Sequence, residues 1–331
     1  MRPRLRTLQE RWRRLQCASS LRRWTNIGVL LFTVGFLIAM LARGREELRQ
    51  FGNWRTYLMA CGQGFLLYPV SLSIQALIWS MMIKRAGHVD HRWRDVEIYA
   101  YTHLMRHIPG AFWYLAGRTA MYYAEGIGAS IVLASSGLEW LLLLVAAVVT
   151  YSVLSLPTPG SEVIFVVFIL AVIASLRGCR FLYSIPARHW LLGFIRRRLE
   201  DISMIALPRW GELILWIGLY IIAYGIGGLI LFSLIHGVAP TSDITLSAAT
   251  RIWALAGGIG FLTSMVVPAG IGIRELTLTA LLAPDISTVG ALLVALLLRM
   301  LFMASDLVWG GLMWAIARIA KAYLQIHRKG S

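Results

Sequence analysis

Long, uninterrupted apolar blocks constrain this chain more than any other feature of its sequence. Ile27–Leu41, Leu141–Leu156 and Leu213–Leu234 are three of them, and each approaches the ~20 residues that cross a bilayer as a helix. Apolar residues in such blocks follow neither the period of a half-buried strand nor that of a surface helix. Only 15% of the residues are charged, against about 25% in an average soluble domain. The sequence therefore predicts an all-α integral membrane protein.

Basic residues define which side of the membrane each loop faces. Of the 32 lysines and arginines, 23 lie in residues 1–23, 84–94, 177–209 and 318–329. Loops on the cytoplasmic side carry such an excess of positive charge, and anionic headgroups attract it. We therefore predict a multi-pass protein of the bacterial inner (cytoplasmic) membrane with both termini in the cytoplasm. The same pattern accounts for the net charge of +16, so no nucleic-acid partner is expected.

The order of basic loops and apolar stretches predicts the architecture. Residues 1–24 form a basic amphipathic tail, 25–320 the membrane domain and 321–331 a second basic cytoplasmic tail. Six full spans are predicted, near Asn26–Ala42, Tyr57–Ile83, Ile127–Leu156, Val163–Leu176, Glu212–Ile235 and Thr288–Ile319. With the N-terminus in the cytoplasm, six full spans are enough to place every basic loop on the cytoplasmic side. The two remaining apolar stretches, Ile98–Ala124 and Ile244–Leu282, must therefore each enter and leave the membrane on the same side. These two stretches are therefore predicted to be re-entrant helical hairpins.

The two predicted hairpins carry similar sequences. The first reads His107-Ile-Pro-Gly-Ala-Phe-Trp-Tyr-Leu-Ala-Gly-Arg118 and the second Val267-Pro-Ala-Gly-Ile-Gly-Ile-Arg-Glu275. Each has a proline that breaks a helix, a glycine that permits a turn, and a glycine and an arginine that open the next helix. The predicted turn residues are Pro109, Gly110, Gly117, Pro268, Gly270 and Gly272. Because the hairpins enter from opposite faces, the pattern indicates an inverted repeat, with halves at about 56–176 and 211–320 and a site near the midplane.

Charged residues within the apolar stretches are the candidate site. A charge at the centre of a membrane helix costs roughly 2.5–3.5 kcal/mol, so such residues must form pairs or line a wet cavity. The candidates for binding a substrate are Arg106, Arg118, Glu139, Arg274, Glu275, Arg299 and Asp306.

Their positions indicate different roles. Arg118 and Arg274 lie beside the helix N-termini of the broken hairpins, where a phosphate would be favoured. Glu139 and Glu275 are candidates for one of two roles. They could be the counter-ions of these two arginines, or they could accept an amine or a proton of the substrate. Arg299 and Asp306 are seven residues apart on one face of a helix. The alternative interpretation of these two residues is a structural ion pair. Glu275 follows Arg274 directly, which disfavours a pair between these two.

Motifs for common catalytic chemistry are absent. The sequence has no Walker A loop, no G-x-S-x-G elbow and no dinucleotide fingerprint, so no cofactor and no such enzyme activity is expected. His103 and His107 are four residues apart, after His88 and His91, a spacing that can bind a metal. No third ligand is evident, so no metal site is assigned. These histidines are the basis of one alternative function, an intramembrane enzyme that modifies a lipid.

Both hairpin motifs resemble those of one known family. Arg106-His-Ile-Pro-Gly-Ala-Phe-Trp and Gly117-Arg118, followed by Gly126 and Glu139, resemble the first half of the flippase-like membrane family. That family includes the transmembrane region of lysylphosphatidylglycerol synthases. Pro268-Ala-Gly-Ile-Gly-Ile-Arg-Glu275, with Leu282 and Arg299, resembles its second-half signature, Pro-Gly-Gly-x-Gly-x-Arg-Glu. The resemblance covers about residues 25–320, and Ala269 departs from it where the family usually has glycine.

The resemblance implies a function in lipid transport. The family moves modified lipids between leaflets, so an anionic or polyprenyl-linked lipid is the expected partner of this chain. No transferase domain accompanies residues 25–320, so aminoacylation is not expected. A non-catalytic partner that presents lipid to a separate lipid-modifying enzyme is the other alternative. Gly225-Ile-Gly-Gly228 and Gly257-Gly-Ile-Gly260 would allow close helix contacts, either within one chain or in a homo-oligomer.

Overall fold

The structure is a computed structural model that describes residues 54–86, 92–107, 112–155, 208–264 and 272–329. Several predicted features lie outside these ranges. They are the amphipathic tail, the spans near 26–42 and 163–176, the basic loop through 207, and the turn residues Pro109, Gly110, Pro268 and Gly270. His88 and His91, two of the histidines considered as metal ligands, lie outside these ranges as well.

All regular structure in the described ranges is helical, as predicted. Eight α-helices and one 3-10 turn are present, and these residues form no strand. The elements are α1 (Trp54–Arg85), α2 (Arg92–Leu104), the 3-10 turn Met105–His107, α3 (Phe112–Tyr123), α4 (Ala129–Ser155), α5 (Trp210–Val238), α6 (Leu246–Ser264), α7 (Ile273–Leu282) and α8 (Thr288–Lys329).

Five of these helices are long and apolar enough to cross a membrane: α1, α4, α5, α6 and α8. Four of the five coincide with predicted spans. The helix α8 continues to Lys329, well past the predicted end near Ile319, and its 42 residues measure about 63 Å. That length exceeds the ~30 Å of a hydrocarbon core. The described part of the chain therefore has the build of a multi-pass membrane protein.

Helix lengths differ between the two predicted hairpins. In the first, α2 and α3 have 13 and 12 residues, which gives about 20 and 18 Å, too short to span. In the second, α7 has ten residues and is also short, but α6 has 19 and reaches spanning length. The sequence predicted hairpins from the number of crossings and from turn residues, neither of which measures helix length.

Packing of the helices follows a repeat. Each substantial contact in the first group of four helices, α1 to α4, has an equivalent in the second group, α5 to α8, when α1 is exchanged with α5, α2 with α6, α3 with α7 and α4 with α8. The contact of α2 with α8 corresponds to that of α6 with α4, and the contact of α3 with α4 to that of α7 with α8. The central contact, α1 with α5, corresponds to itself. We call the two groups the first half and the second half.

Small residues set the distance between α5 and α6. A Cβ added at Gly228 would lie 2.5 Å from the Cα of Thr250, and one added at Gly227 would overlap the ring of Trp253. At Gly225 a Cβ would meet nothing within 4 Å. Two glycines of the Gly225–Gly228 segment therefore pack against another helix of the same chain.

Candidate functional site

A cavity of about 310 Å³ lies where the two halves meet. Every one of the eight helices, together with the 3-10 turn, contributes to its wall. Its charged and titratable lining includes Arg106, Arg274, Arg299, Glu275, Asp306 and His103. Its aromatic lining consists of Tyr68, Tyr114, Trp140, Tyr220, Tyr224, Trp253, Phe261 and Phe302. A volume above 300 Å³ and an aromatic wall with a few convergent charges are typical of small-ligand sites.

Glu139 is the centre of the first charged cluster, the Glu139 cluster, which also contains Arg106, Tyr114 and Arg118. Its Oε2 accepts hydrogen bonds from Arg118 Nη1 at 2.5 Å and from Tyr114 Oη at 2.7 Å. Its Oε1 lies 3.7 Å from Arg106 Nη2, longer than a hydrogen bond. Both Arg118 and Glu139 are fully buried, whereas the side chain of Arg106 is 28% exposed. Arg118 is therefore the close counter-ion of Glu139, and Arg106 is the partner that remains accessible.

Aromatic rings enclose the guanidinium of Arg118. Its Cζ lies 3.7 Å from the ring centre of Trp79, 4.3 Å from that of Tyr114 and 5.0 Å from that of Tyr99. Rings attract a cation through their faces, most strongly when water is excluded. Its Nε also donates to the hydroxyl of Thr102 at 3.3 Å. Arg118 is thus held on all sides and does not line the cavity, although the sequence suggested it as a direct ligand of the headgroup.

Glu275 is the centre of the second cluster, the Glu275 cluster, with Gly272, Arg274 and Arg299. Its Oε1 accepts from Arg299 Nη1 at 2.7 Å and lies 3.5 Å from Arg274 Nη2. Its Oε2 accepts from the backbone N–H of Gly272 at 2.9 Å, which satisfies a free donor at the start of α7. Gly272 has φ of 93°, a conformation that favours glycine. The Gly-x-Arg-Glu sequence thus caps the N-terminus of α7 and places Arg274 and Glu275 in the cavity wall.

Contact between Arg274 and Glu275 occurs despite their adjacency in sequence. Adjacent residues do not share a helix face, yet the flexible arginine side chain reaches the carboxylate. The aliphatic part of Arg274 packs against Gly260 of α6, where an added Cβ would lie 2.9 Å from the Cβ of Arg274. The smallness of Gly260 therefore allows Arg274 to reach the cavity wall.

Asp306 pairs with His103, and not with Arg299. The distance between His103 Nε2 and Asp306 Oδ1 is 3.2 Å, and both side chains are buried. The alternative of an Arg299–Asp306 pair is wrong, because seven residues along α8 separate the two by about 10.5 Å and Arg299 turns to Glu275. His103, which the sequence suggested only as a possible metal ligand, is thus a partner of a site carboxylate.

All seven predicted site residues lie in or directly behind the cavity wall. Arg106, Arg274, Glu275, Arg299 and Asp306 line it, whereas Arg118 and Glu139 lie behind. Of the two predicted turn glycines in the described ranges, Gly272 is the N-cap of α7. The prediction for Gly117 is wrong: Gly117 and Arg118 lie inside α3, which begins at Phe112, and not at its N-terminus. Gly117 packs against the side chain of Met105 in the 3-10 turn. Among the described residues no three histidine, cysteine or carboxylate side chains group as a metal site would require.

Aromatic residues of the wall, such as Tyr220 and Trp253, were not predicted as site residues. Their only sequence signal is position in an apolar stretch, which many aromatics share. A scan of the chain against models of known protein families and a search of curated protein sequences found no match.

Proposed function

We propose that this protein moves an anionic lipid, either a phospholipid or a polyprenyl-linked lipid, between the leaflets of the bacterial inner membrane. The observation that carries the proposal is a cavity among apolar helices whose wall has more guanidinium groups than carboxylates. In this proposal the headgroup occupies the cavity while the acyl or prenyl chains stay in the bilayer.

The balance of charge supports an anionic ligand. Each cluster has two arginines for one glutamate, so each keeps one guanidinium that its carboxylate does not neutralise. Asp306 faces His103, which neutralises it when protonated. Arginine offers several donors in a planar arrangement that matches phosphate, and the low-dielectric surroundings strengthen such contacts.

Arg106, Arg274 and Arg299 are the residues we assign to the headgroup phosphate. All three line the cavity, and their side chains are 28%, 27% and 23% exposed, so a ligand can reach them. Arg118 has a supporting role, because it holds Glu139 and is closed off by aromatic rings. The repeat in helix packing supports alternating access, in which the two halves rock around a central site with the hairpins as re-entrant elements.

Transport by purified protein in vesicles tests this function. Vesicles would carry a fluorescent phosphatidylglycerol, or a fluorescent polyprenyl phosphate, and a membrane-impermeant quencher would report the lipid that reaches the outer leaflet. Arg274→Gln is the informative variant, because Glu275 keeps Arg299 at 2.7 Å as its counter-ion. A hydrogen bond to a charged group contributes about 1.5–3 kcal/mol, so we expect the rate to fall about tenfold or more.

Arg318→Gln is the matched control, since Arg318 is exposed near the end of α8, stacks on Trp314 and does not line the cavity. Equal rates for wild type and Arg274→Gln would refute the assignment of Arg274. No movement of either lipid by the wild-type protein would refute transport itself and favour a protein that presents lipid to a separate enzyme.

A further inference from the structure

Three carboxylates belong to the cavity and its supporting wall, and their partners differ. Glu139 and Glu275 each interact with two arginines. Protonation of either would leave a guanidinium without its counter-ion in the interior, which typically costs several kcal/mol. Asp306 instead faces His103 at 3.2 Å. Histidine is the side chain that ordinarily gains and loses a proton between pH 5 and 8, so this pair is the place where a proton can exchange.

Location makes the His103–Asp306 pair relevant to a conformational change. His103 is at the end of α2 in the first half, and Asp306 is on α8 in the second half, so the pair crosses the boundary between the halves. At the equivalent boundary, α4 with α6, Gly258 approaches the Cβ of Ala147 and Trp140 packs edge-on against Phe261. The two boundaries are therefore alike in helix packing but different in chemistry.

Other titratable groups lie near the pair or line the same cavity. The ring of Tyr99 stacks on His103 at 5.8 Å, and Arg106 follows His103 in the 3-10 turn. Tyr68 stacks at 4.0 Å on Phe302, one helical turn before Asp306. Among the described residues, the other titratable groups that line this cavity are Tyr114 of α3, Tyr220 and Tyr224 of α5, and the Glu275 cluster of α7 and α8. Apart from the tyrosines, the acidic and basic groups named here belong to the Glu139 cluster or to the Glu275 cluster.

We propose that the His103–Asp306 pair binds one exchangeable proton and couples the movement of an anionic headgroup to a proton gradient. This inference rests on the proposed transport function. Four arginines and three carboxylates give the two clusters and Asp306 a formal charge of +1 when His103 is neutral and +2 when it is protonated. A bound proton therefore favours a bound anion. By reciprocity the anion favours the proton, so both move in the same direction.

Vesicles with an imposed pH difference test the coupling. With phosphatidylglycerol as the probe and the membrane potential clamped, wild-type protein should enrich the fluorescent lipid in the leaflet on the alkaline side. At a pH difference of one unit, tight one-to-one coupling would set an upper limit of about tenfold on that enrichment, and we expect at least about twofold. Asp306→Asn and His103→Gln should bring the ratio to one. His236→Gln is the control, because His236 bonds to the Phe232 carbonyl within α5 and lies outside the cavity wall.

A second measurement does not depend on transport. Nitrogen-15 histidine spectra of the purified full chain in lipid nanodiscs would follow the protonation of His103, identified as the signal missing from His103→Gln. We expect this signal to titrate between pH 5 and 8 and its midpoint to shift in Asp306→Asn.

The two measurements separate the possible failures. A His103 that keeps one protonation state from pH 5 to 8 would overturn the proton site. Lipid movement without any pH-dependent enrichment would overturn the coupling while the transport function stands. Titration of His103 in a protein that moves no lipid would overturn both the coupling and the transport function.

Discussion

Replacement of Arg118 by methionine tests whether the Glu139 cluster is a support for the cavity. The variant removes the 2.5 Å bond to Glu139 and the contacts with three aromatic rings, and leaves an unbranched apolar side chain that is two atoms shorter. Glu139 would stay buried with Arg106 at 3.7 Å as its nearest cation. Breaking a buried pair by removing one partner costs about 3–5 kcal/mol, and the lost ring contacts add to this. We expect the free energy of unfolding to fall by at least about 3 kcal/mol.

Removal of both charges should restore much of that loss. In Arg118→Met/Glu139→Gln no unpaired charge is left at this position, and glutamine still accepts the hydrogen bond from Tyr114. Arg106 loses a distant partner but reaches the cavity, where it can be solvated. Because replacing a buried pair by neutral groups is often close to neutral, the double variant should be more stable than Arg118→Met by about 2 kcal/mol or more.

Unfolding in mixed micelles of mild detergent and dodecyl sulfate would measure these free energies. Arg85→Met is the matched control, because the Arg85–Glu212 pair is 3.4 Å long and both side chains are about a third exposed, at 31% and 34%. An exposed pair contributes about 1 kcal/mol or less. A loss in Arg118→Met no larger than that in Arg85→Met, or a double variant no more stable than the single one, would refute a supporting role for the buried pair.

Two further predictions concern glycines, with Gly225→Ala, which has open space around it, as the common control for both. Gly228→Ala should lower the stability of the folded protein by about 1–3 kcal/mol in the same unfolding assay, because the added Cβ would overlap Thr250; a loss equal to that of the control would argue against the tight α5–α6 contact. Gly260→Ala should displace Arg274 from the cavity wall and weaken binding of a soluble phosphate-ester headgroup, measured calorimetrically, whereas unchanged affinity would show that Arg274 does not depend on this packing.

Much of the fold could be predicted from hydrophobicity alone. The four predicted spans within the described ranges are all helices of spanning length, because an apolar stretch of about 20 residues has few alternatives in a bilayer. Charged residues in such stretches pointed to the site for the same physical reason, and all seven lie at or behind one cavity. Composition thus selected residues that share one cavity, without any knowledge of how the helices pack.

Pairing of the charges could not be predicted, because it depends on contacts between residues distant in sequence. Arg299 finds its partner 24 positions earlier, at Glu275, and Arg118 finds its partner 21 positions later, at Glu139. The alternative of an Arg299–Asp306 pair failed because proximity on α8 says nothing about His103 on another helix. Likewise, the length of α6 was not predicted, because a turn motif indicates where a helix ends but not where it begins.

The two long-range ion pairs each lie within one half of the structure. Arg118 joins the short helix α3 to the following long helix α4, and Glu275 joins the short helix α7 to the following long helix α8. In the first half the arginine is on the short helix and the glutamate on the long one, and in the second half the order is reversed. In both halves the pair connects a short helix to the long helix that follows it. Relative movement of α3 and α4, or of α7 and α8, would have to separate an ion pair whose glutamate is buried. Neither pair crosses the boundary between the halves. A contact that does cross it is His103 with Asp306, both buried, so movement of α2 against α8 would have to separate this pair instead.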